Sequence, residues 1–192
     1  MKTEGISGLL SPFVKKFRIE IALKFIKEGM EVLDIGPGFG EIIKSLPSEV
    51  KYTGIERDEY LFKYLKEKYP QRKFISGDAE LILEEIEGKF DVVLLLSVIE
   101  HLKNPEELIN RLKEKLKEEG KILIYTPSRK AKGILYLGSK LGLLSKIAEG
   151  EHQKLFNKND LIEKIEGLGF NLIFQKDFFL SLSLFLVFEK KS

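Results

Sequence analysis

The sequence predicts an α/β fold built on a parallel sheet with helices on both faces. Three observations predict it. Strand-like and helix-like segments alternate from residue 11 to residue 126. The segment FDVVLLL at 90–96 is apolar almost throughout, as expected of a central strand covered on both sides. The first strand, VLDI at 32–35, runs directly into a glycine bend, GPGFG. The chain has 192 residues, enough for one domain with a substantial core. No repeat, low-complexity tract or linker divides it, so 1–192 reads as a single domain.

Each element has a local reason. Ser11 and Pro12 cap and start a helix to about Glu28, with Phe13, Phe17, Ile21 and Phe25 on one face, which makes residues 1–30 an N-terminal helical cap. After VLDI, the stretch GEIIKSL (40–46) opens a helix that Pro47 stops. YTGIE (52–56) is a second strand, and YLFKYLKEKY (60–69) an amphipathic helix ended before Pro70. KFIS (73–76) is a third strand and AELILEEIE (79–87) a third helix. After 90–96, Asn104 and Pro105 supply the cap and first turn of a helix to about Lys117. KILIYT (121–126) is a fifth strand. Residues 128–156 form a mixed basic and apolar insertion. Asn157 then caps another helix, and the C-terminus offers two more strands.

Composition excludes several functions. There is no cysteine, hence no disulfide, thiolate metal site or cysteine nucleophile. The formal net charge is +2, and many lysines alternate with glutamates, as in KEKLKEEGK (113–121), which marks a solvated helix face and argues against nucleic acid as the partner. No apolar run approaches the length of a membrane span, and the first residues lack the pattern of a secretory signal, so the expected location is the cytoplasm.

A doubly wound parallel sheet binds ligands beyond the carboxyl ends of its strands. The residues there are informative. Gly36, Gly38 and Gly40 let the backbone turn sharply and touch a ligand. Their spacing is Gly-x-Gly-x-Gly, not the Gly-x-Gly-x-x-Gly of dinucleotide sites. Asp34 stands two residues earlier; a carboxylate there repels a pyrophosphate and suits a ligand with positive charge, or else it caps the turn's own N–H groups. Glu56 ends the second strand, 20 residues beyond Gly36, and can accept both hydroxyls of a ribose. Asp78 could accept from an exocyclic amine, with the Ala79 N–H on a ring nitrogen; it is equally placed to cap the following helix. Together these residues describe a pocket for a nucleoside with an ammonium-bearing tail.

VLDIGPGFG, GIE, GDA, FDVVLLLSVIEHL and ILIYTP, in that order, resemble the class I S-adenosylmethionine-dependent methyltransferases over nearly the whole chain. The resemblance implies a three-layer Rossmann-like methyltransferase fold: a seven-stranded, mostly parallel sheet with an antiparallel last strand. It implies S-adenosyl-L-methionine as cofactor. The bend Gly36, Pro37, Gly38 and Gly40 would contact its methionine end, Asp34 its amino group, Glu56 its ribose, Asp78 and Ala79 its adenine, with Ser97 near the methionine part. Arg57 stands beside Glu56 where the family commonly has an apolar residue.

The cofactor carries its own electrophile, so the protein needs no nucleophile of its own, and a base helps if the acceptor is a hydroxyl. His101 and His152 are the candidates; each could instead serve only in packing or lie exposed. SVIEHL and EHQKLFNKNDLIEKIEGLGF resemble the small-molecule branch that includes ubiquinone-biosynthesis O-methyltransferases. Some of these bind a divalent metal through Glu-x-x-Glu-His; here the first acid is Ser97, leaving Glu100 and His101, so no metal site is expected. No Asn-Pro-Pro-Tyr-type motif follows the fourth strand, which argues against methylation of planar nitrogens. Within 133–147, Ile134, Leu137, Leu141 and Leu144 recur at helical spacing, flanked by Lys132, Lys140 and Lys146. This reads as a lid over the domain, or as contact with a lipid-like acceptor or an anionic membrane surface. The expected function is methyl transfer to a small-molecule acceptor at a hydroxyl oxygen. The alternatives are a non-catalytic methyltransferase-like partner subunit and a nicotinamide-dependent oxidoreductase.

Overall fold

Alternating apolar residues place every central strand between two cores. The computed structural model describes residues 11–130, 154–178 and 181–191. Its strands are β1 (Glu31–Ile35), β2 (Lys51–Glu56), β3 (Lys73–Ser76), β4 (Phe90–Leu96), β5 (Leu116–Pro127), β6 (Phe170–Phe178) and β7 (Ser183–Lys190). They form one seven-stranded sheet in the order β3-β2-β1-β4-β5-β7-β6. β1 to β5 pair in parallel, and β7 runs antiparallel to both of its neighbours. The fold expected from the sequence is the fold observed.

The helices are α1 (Ser11–Leu23), α2 (Glu59–Lys68), α3 (Ala79–Ile82), α4 (Pro105–Lys115) and α5 (Lys158–Gly167). On one face Leu33, Ile35, Val93 and Leu95 pack with Leu108, Leu112, Leu161 and Ile165 from α4 and α5. On the other, Val32, Val92 and Leu94 pack with Ile21, Ala22, Leu65 and Tyr69 from α1 and α2. Along β1 the period of two therefore aims Asp34 at the side that α1 and α2 cover. The chain leaves β1 toward β2 and β3, and later returns to lay β4 on the other side of β1, with Asp34 in register with Leu94. That switch point sets the carboxyl ends of β1 and β4 side by side.

Four local expectations are corrected. The helix expected at GEIIKSL is a single 3-10 turn, Ile43–Ser45. Turns carry the glycine bend to Ile42, and Leu46, held extended before Pro47, leaves no room for a helical ladder. α1 ends at Leu23 rather than Glu28, because the N–H groups of Lys24, Phe25 and Ile26 bond three residues back and tighten the last turn. Its buried face is Ile21 and Ala22, with Ile26 beyond its end, while Phe17 is 44% exposed. β5 begins at Leu116, because the charged stretch expected to be solvated helix extends the ladder past an irregularity opposite Phe90 and Val92. The helix expected over 79–87 is shorter too, α3 followed by a 3-10 turn at Leu83–Glu85.

Candidate functional site

The site is built from the turns at the carboxyl ends of β1, β2, β3 and β4. Gly36 N–H still bonds Ile55 O at 2.9 Å, after which the backbone enters the left-handed region at Gly36 (φ 67°), Gly38 (φ 58°) and Gly40 (φ 69°). At Gly38 a β-carbon would meet no protein atom within 4 Å. Its glycine is required by conformation, and the turn keeps an open side there. Pro37 packs over Gly54 of β2, where an added β-carbon would lie 3.2 Å from Pro37 Cγ.

Asp34 is 2% exposed. The Tyr52 hydroxyl donates to its Oδ2 at 2.7 Å, and among the described residues no ion pair reaches it. Burial pushes the Asp34 carboxyl up to about 7; the Tyr52 bond and the field of Arg18 oppose that without cancelling it. The same burial, with Asp34 beside it, raises the Tyr52 phenol well above its ordinary range.

Arg18 is the residue that sequence reading missed. It reaches down from α1 with its side chain 18% exposed. Nη1 donates to Ser97 Oγ at 2.9 Å and Nη2 to Glu41 Oε2 at 2.7 Å, while the guanidinium sits 5.9 Å from the centre of the Tyr125 ring. Its Nε is enclosed and has no hydrogen-bond partner among the described residues. The available signal was its place in KKFRIEIAL: Ile21 and Ala22, three and four residues on, are both buried, so Arg18 lies on an apolar stripe. Ser97 itself has φ 65°, a conformation that side chains rarely adopt, and its N–H holds Tyr125 O at 2.8 Å.

Glu56 is 4% exposed. Its Oε2 accepts from Gly38 N–H at 3.1 Å, its Oε1 from Asp58 N–H at 3.0 Å, and its carbonyl from Gly77 N–H at 3.0 Å. One residue thus ties the turns after β1, β2 and β3 together. Arg57 is exposed beside it. Asp78 caps α3, accepting from Glu80 N–H at 2.9 Å, and Ala79 is buried. Capping engages Oδ1, so a cap and a ligand contact through Oδ2 are compatible at this residue.

Beyond β4, the 3-10 turn Ile99–His101 carries a half-buried His101 and a Glu100 that is 3% exposed. Thr126 Oγ1 donates to Glu100 Oε2 at 3.0 Å, and burial raises this carboxyl to about 7 as well. His152 and the 133–147 segment fall outside the described residues. Among the described residues no group of three acids and histidines is placed to hold a metal ion. A cleft bordered by Glu31, Lys51, Lys73 and Lys89 opens at the amino ends of the strands, the opposite end from this site.

A sequence profile of the methyltransferase domain family matches residues 9–175, a span that holds β1 to β5 and every residue of the site. The chain belongs to the S-adenosylmethionine-dependent methyltransferases. This methyltransferase is 24% identical over 167 residues to the ubiquinone biosynthesis O-methyltransferase of Coxiella burnetii, covering 80% of this chain and 70% of that one. It is 35% identical over 85 residues to the ribosomal RNA small subunit methyltransferase A of Chlorobaculum parvum, covering 42% and 30%. Among solved structures, a SAM-dependent methyltransferase from Archaeoglobus fulgidus superposes with a TM-score of 0.71 at 19% identity, covering 93% of this chain and 94% of that one. Magnesium protoporphyrin IX methyltransferase from Synechocystis, solved with bound SAH, gives 0.69 at 18%, covering 94% and 83%. The methyltransferase's own residues fit the cofactor chemically: a buried acid with no ion-pair partner among the described residues, a guanidinium with an unmet N–H, and a glycine turn open at Gly38. No helix of the described residues is long and apolar enough to cross a membrane.

Proposed function

We propose that this methyltransferase transfers a methyl group to a hydroxyl oxygen of a small molecule. The observation that carries the cofactor part of the reading is that Asp34 on β1 and Arg18, which bonds Ser97 just past β4, both stand at the switch point, an acid and a guanidinium matched to the ammonium and carboxylate of an amino acid. When bound, the cofactor supplies an electrophilic methyl on a sulfonium. Asp34 holds the ammonium and Arg18 the carboxylate. Glu56 accepts from the ribose hydroxyls, and Asp78 and Ala79 receive the adenine. Ser97, fixed in a left-handed conformation by Tyr125 and Arg18, lines the methionine side. His101, one turn beyond β4, takes the proton that an acceptor hydroxyl must lose. The likeness to ubiquinone biosynthesis O-methyltransferases supports an oxygen acceptor. The expected location is the cytoplasm, and the chain works as a single domain.

Calorimetric titration with S-adenosylmethionine and S-adenosylhomocysteine, with NADH as control, tests the cofactor. A screen of phenols with and without apolar tails then tests the acceptor. Micromolar binding of the first two and methylated oxygen in the product are expected. Transfer to nitrogen or carbon alone overturns the acceptor reading. His101→Asn is expected to cut turnover at least about a hundredfold at unchanged cofactor affinity. Glu56→Ala is expected to weaken cofactor binding at least about tenfold. It should also lower the melting temperature, because Gly38 and Asp58 lose their acceptor. Unchanged affinity in a folded Glu56→Ala protein removes Glu56 from the site.

A further inference from the structure

We propose that Glu41 is a built-in carboxylate that occupies Arg18 until the carboxylate of the cofactor displaces it. The inference rests on the proposed cofactor site and adds a regulation of that same site.

Glu41 follows Gly40 directly, so its position is set by the glycine turn. Its Oε2 lies 2.7 Å from Arg18 Nη2 and its Oε1 2.8 Å from Lys15 Nζ. Burial pushes the Glu41 carboxyl up, but Lys15 and Arg18 outweigh it and hold it below the ordinary carboxylate range, so the group stands as an anion. An anion on the guanidinium fork is what a ligand carboxylate would be. Yet the fit is incomplete, because Arg18 Nε is enclosed without a partner among the described residues. A buried donor left unmet favours any rearrangement that gives it an acceptor.

The second polar arm of the site is self-satisfied in the same way. Both Glu56 oxygens are taken by backbone N–H groups, one of them from Gly38. Gly38 and Glu41 belong to the same turn. One displacement of that turn therefore releases Arg18 and Glu56 together, and it removes one tether of α1, the pairs of Lys15 and Arg18 with Glu41. A protein that must first give up its own contacts binds with its affinity reduced by the fraction already open. A merely structural ion pair predicts something different: its loss lowers the melting temperature and leaves ligand affinity unchanged or weaker.

The test compares S-adenosylhomocysteine with 5′-methylthioadenosine, which has the nucleoside and lacks both the carboxylate and the ammonium. Glu41→Gln and Glu41→Ala, each checked by thermal melting, are titrated with both. The Glu41 side chain is 30% exposed, so both variants are compatible with folding. S-adenosylhomocysteine is expected to bind about three- to tenfold more tightly to each, with a clearly smaller gain for methylthioadenosine, which draws only on the released Glu56. In an Arg18→Met background the gain should vanish. Folded variants that bind S-adenosylhomocysteine no more tightly than the wild type overturn the inference, as does an equal gain for methylthioadenosine. Wild type that binds neither ligand overturns the cofactor reading, and this inference with it. Wild type that binds both, with variants that show no gain, overturns the exchange alone.

Discussion

Cofactor affinity is expected to rise about tenfold per pH unit from pH 5 to pH 7 and to fall again above about pH 8. The rising limb belongs to Asp34, whose carboxyl burial pushes up to about 7. Below that value Asp34 is neutral, and an incoming ammonium must first expel its proton, at about 1.4 kcal/mol for each pH unit. The falling limb belongs to the ligand, whose α-amino group loses its charge near pH 8. Calorimetry with S-adenosylmethionine between pH 5 and pH 9 at constant ionic strength reads both limbs, and a flat profile rejects the role of Asp34. Asp34→Asn should flatten the rising limb and weaken binding about a hundredfold, the scale of removing one charge-assisted hydrogen bond from a buried site. The same substitution is expected to stabilise the empty protein. An acid whose folded pKa lies above its unfolded value of 3.8 keeps its proton longer when folded. Its contribution is therefore fully present below about pH 4 and is lost as pH rises through 7, on the order of 4 kcal/mol. At pH 8 Asp34→Asn should melt about 8–16 °C above the wild type. Glu100, raised to about 7 by burial beside Thr126, adds a loss of the same sign in the same range. Both buried acids thus lower the stability of the protein at neutral pH.

How much of this was legible in the sequence depends on which forces act locally. β4 lies where its apolar run placed it, at Phe90–Leu96, because a strand buried on both faces has little freedom to be anything else; the edge strand β3 also falls at the expected Lys73–Ser76, although its residues are only half-buried or exposed. Gly38 meets Glu56, and all three glycines take the positive φ that the turn needs, because the strand ends fix where the turn begins. The short helix after the bend was not legible, because backbone turns consume the residues it required. The start of β5 at Leu116 was hidden too: KEKLKEEGK has a solvated surface pattern, and only pairing with Phe90 in β4 makes its first residue a strand. Arg18 was the larger omission. Its place on the apolar stripe of α1 hints at burial, but its role comes from Ser97, 79 residues away, and from Glu41. The burial of Glu100 has the same origin, a long-range contact: Thr126 of β5 donates to it across to the turn beyond β4.

Gly40→Ala is expected to cost the protein about 3 kcal/mol or more and to lower its melting temperature by about 6–12 °C. Two effects add. Gly40 has φ 69°, where a β-carbon crowds the following carbonyl, at roughly 1–2 kcal/mol. That β-carbon would also lie 2.8 Å from Leu65 Cδ2, 2.8 Å from Tyr69 Cε2 and 2.9 Å from Ile43 Cδ1. All three residues are buried, so none can swing into solvent to make room. Tyr69 is further held by its hydroxyl, which donates to Gly40 O at 3.2 Å. Relief must come from the turn itself. Pushing the turn outward draws Gly38 away from Glu56 and Glu41 away from Arg18, the two contacts that close the site. The variant should therefore lose stability and yet retain a measurable fraction of its nucleoside affinity, because its strain opens the loop that the ligand must open. Gly38→Ala separates the two effects: its β-carbon meets nothing within 4 Å, so it should show the conformational cost alone, about half the loss in melting temperature. Equal melting shifts for the two variants would mean that packing against α2 contributes nothing, and that the position of the turn is set by its backbone alone.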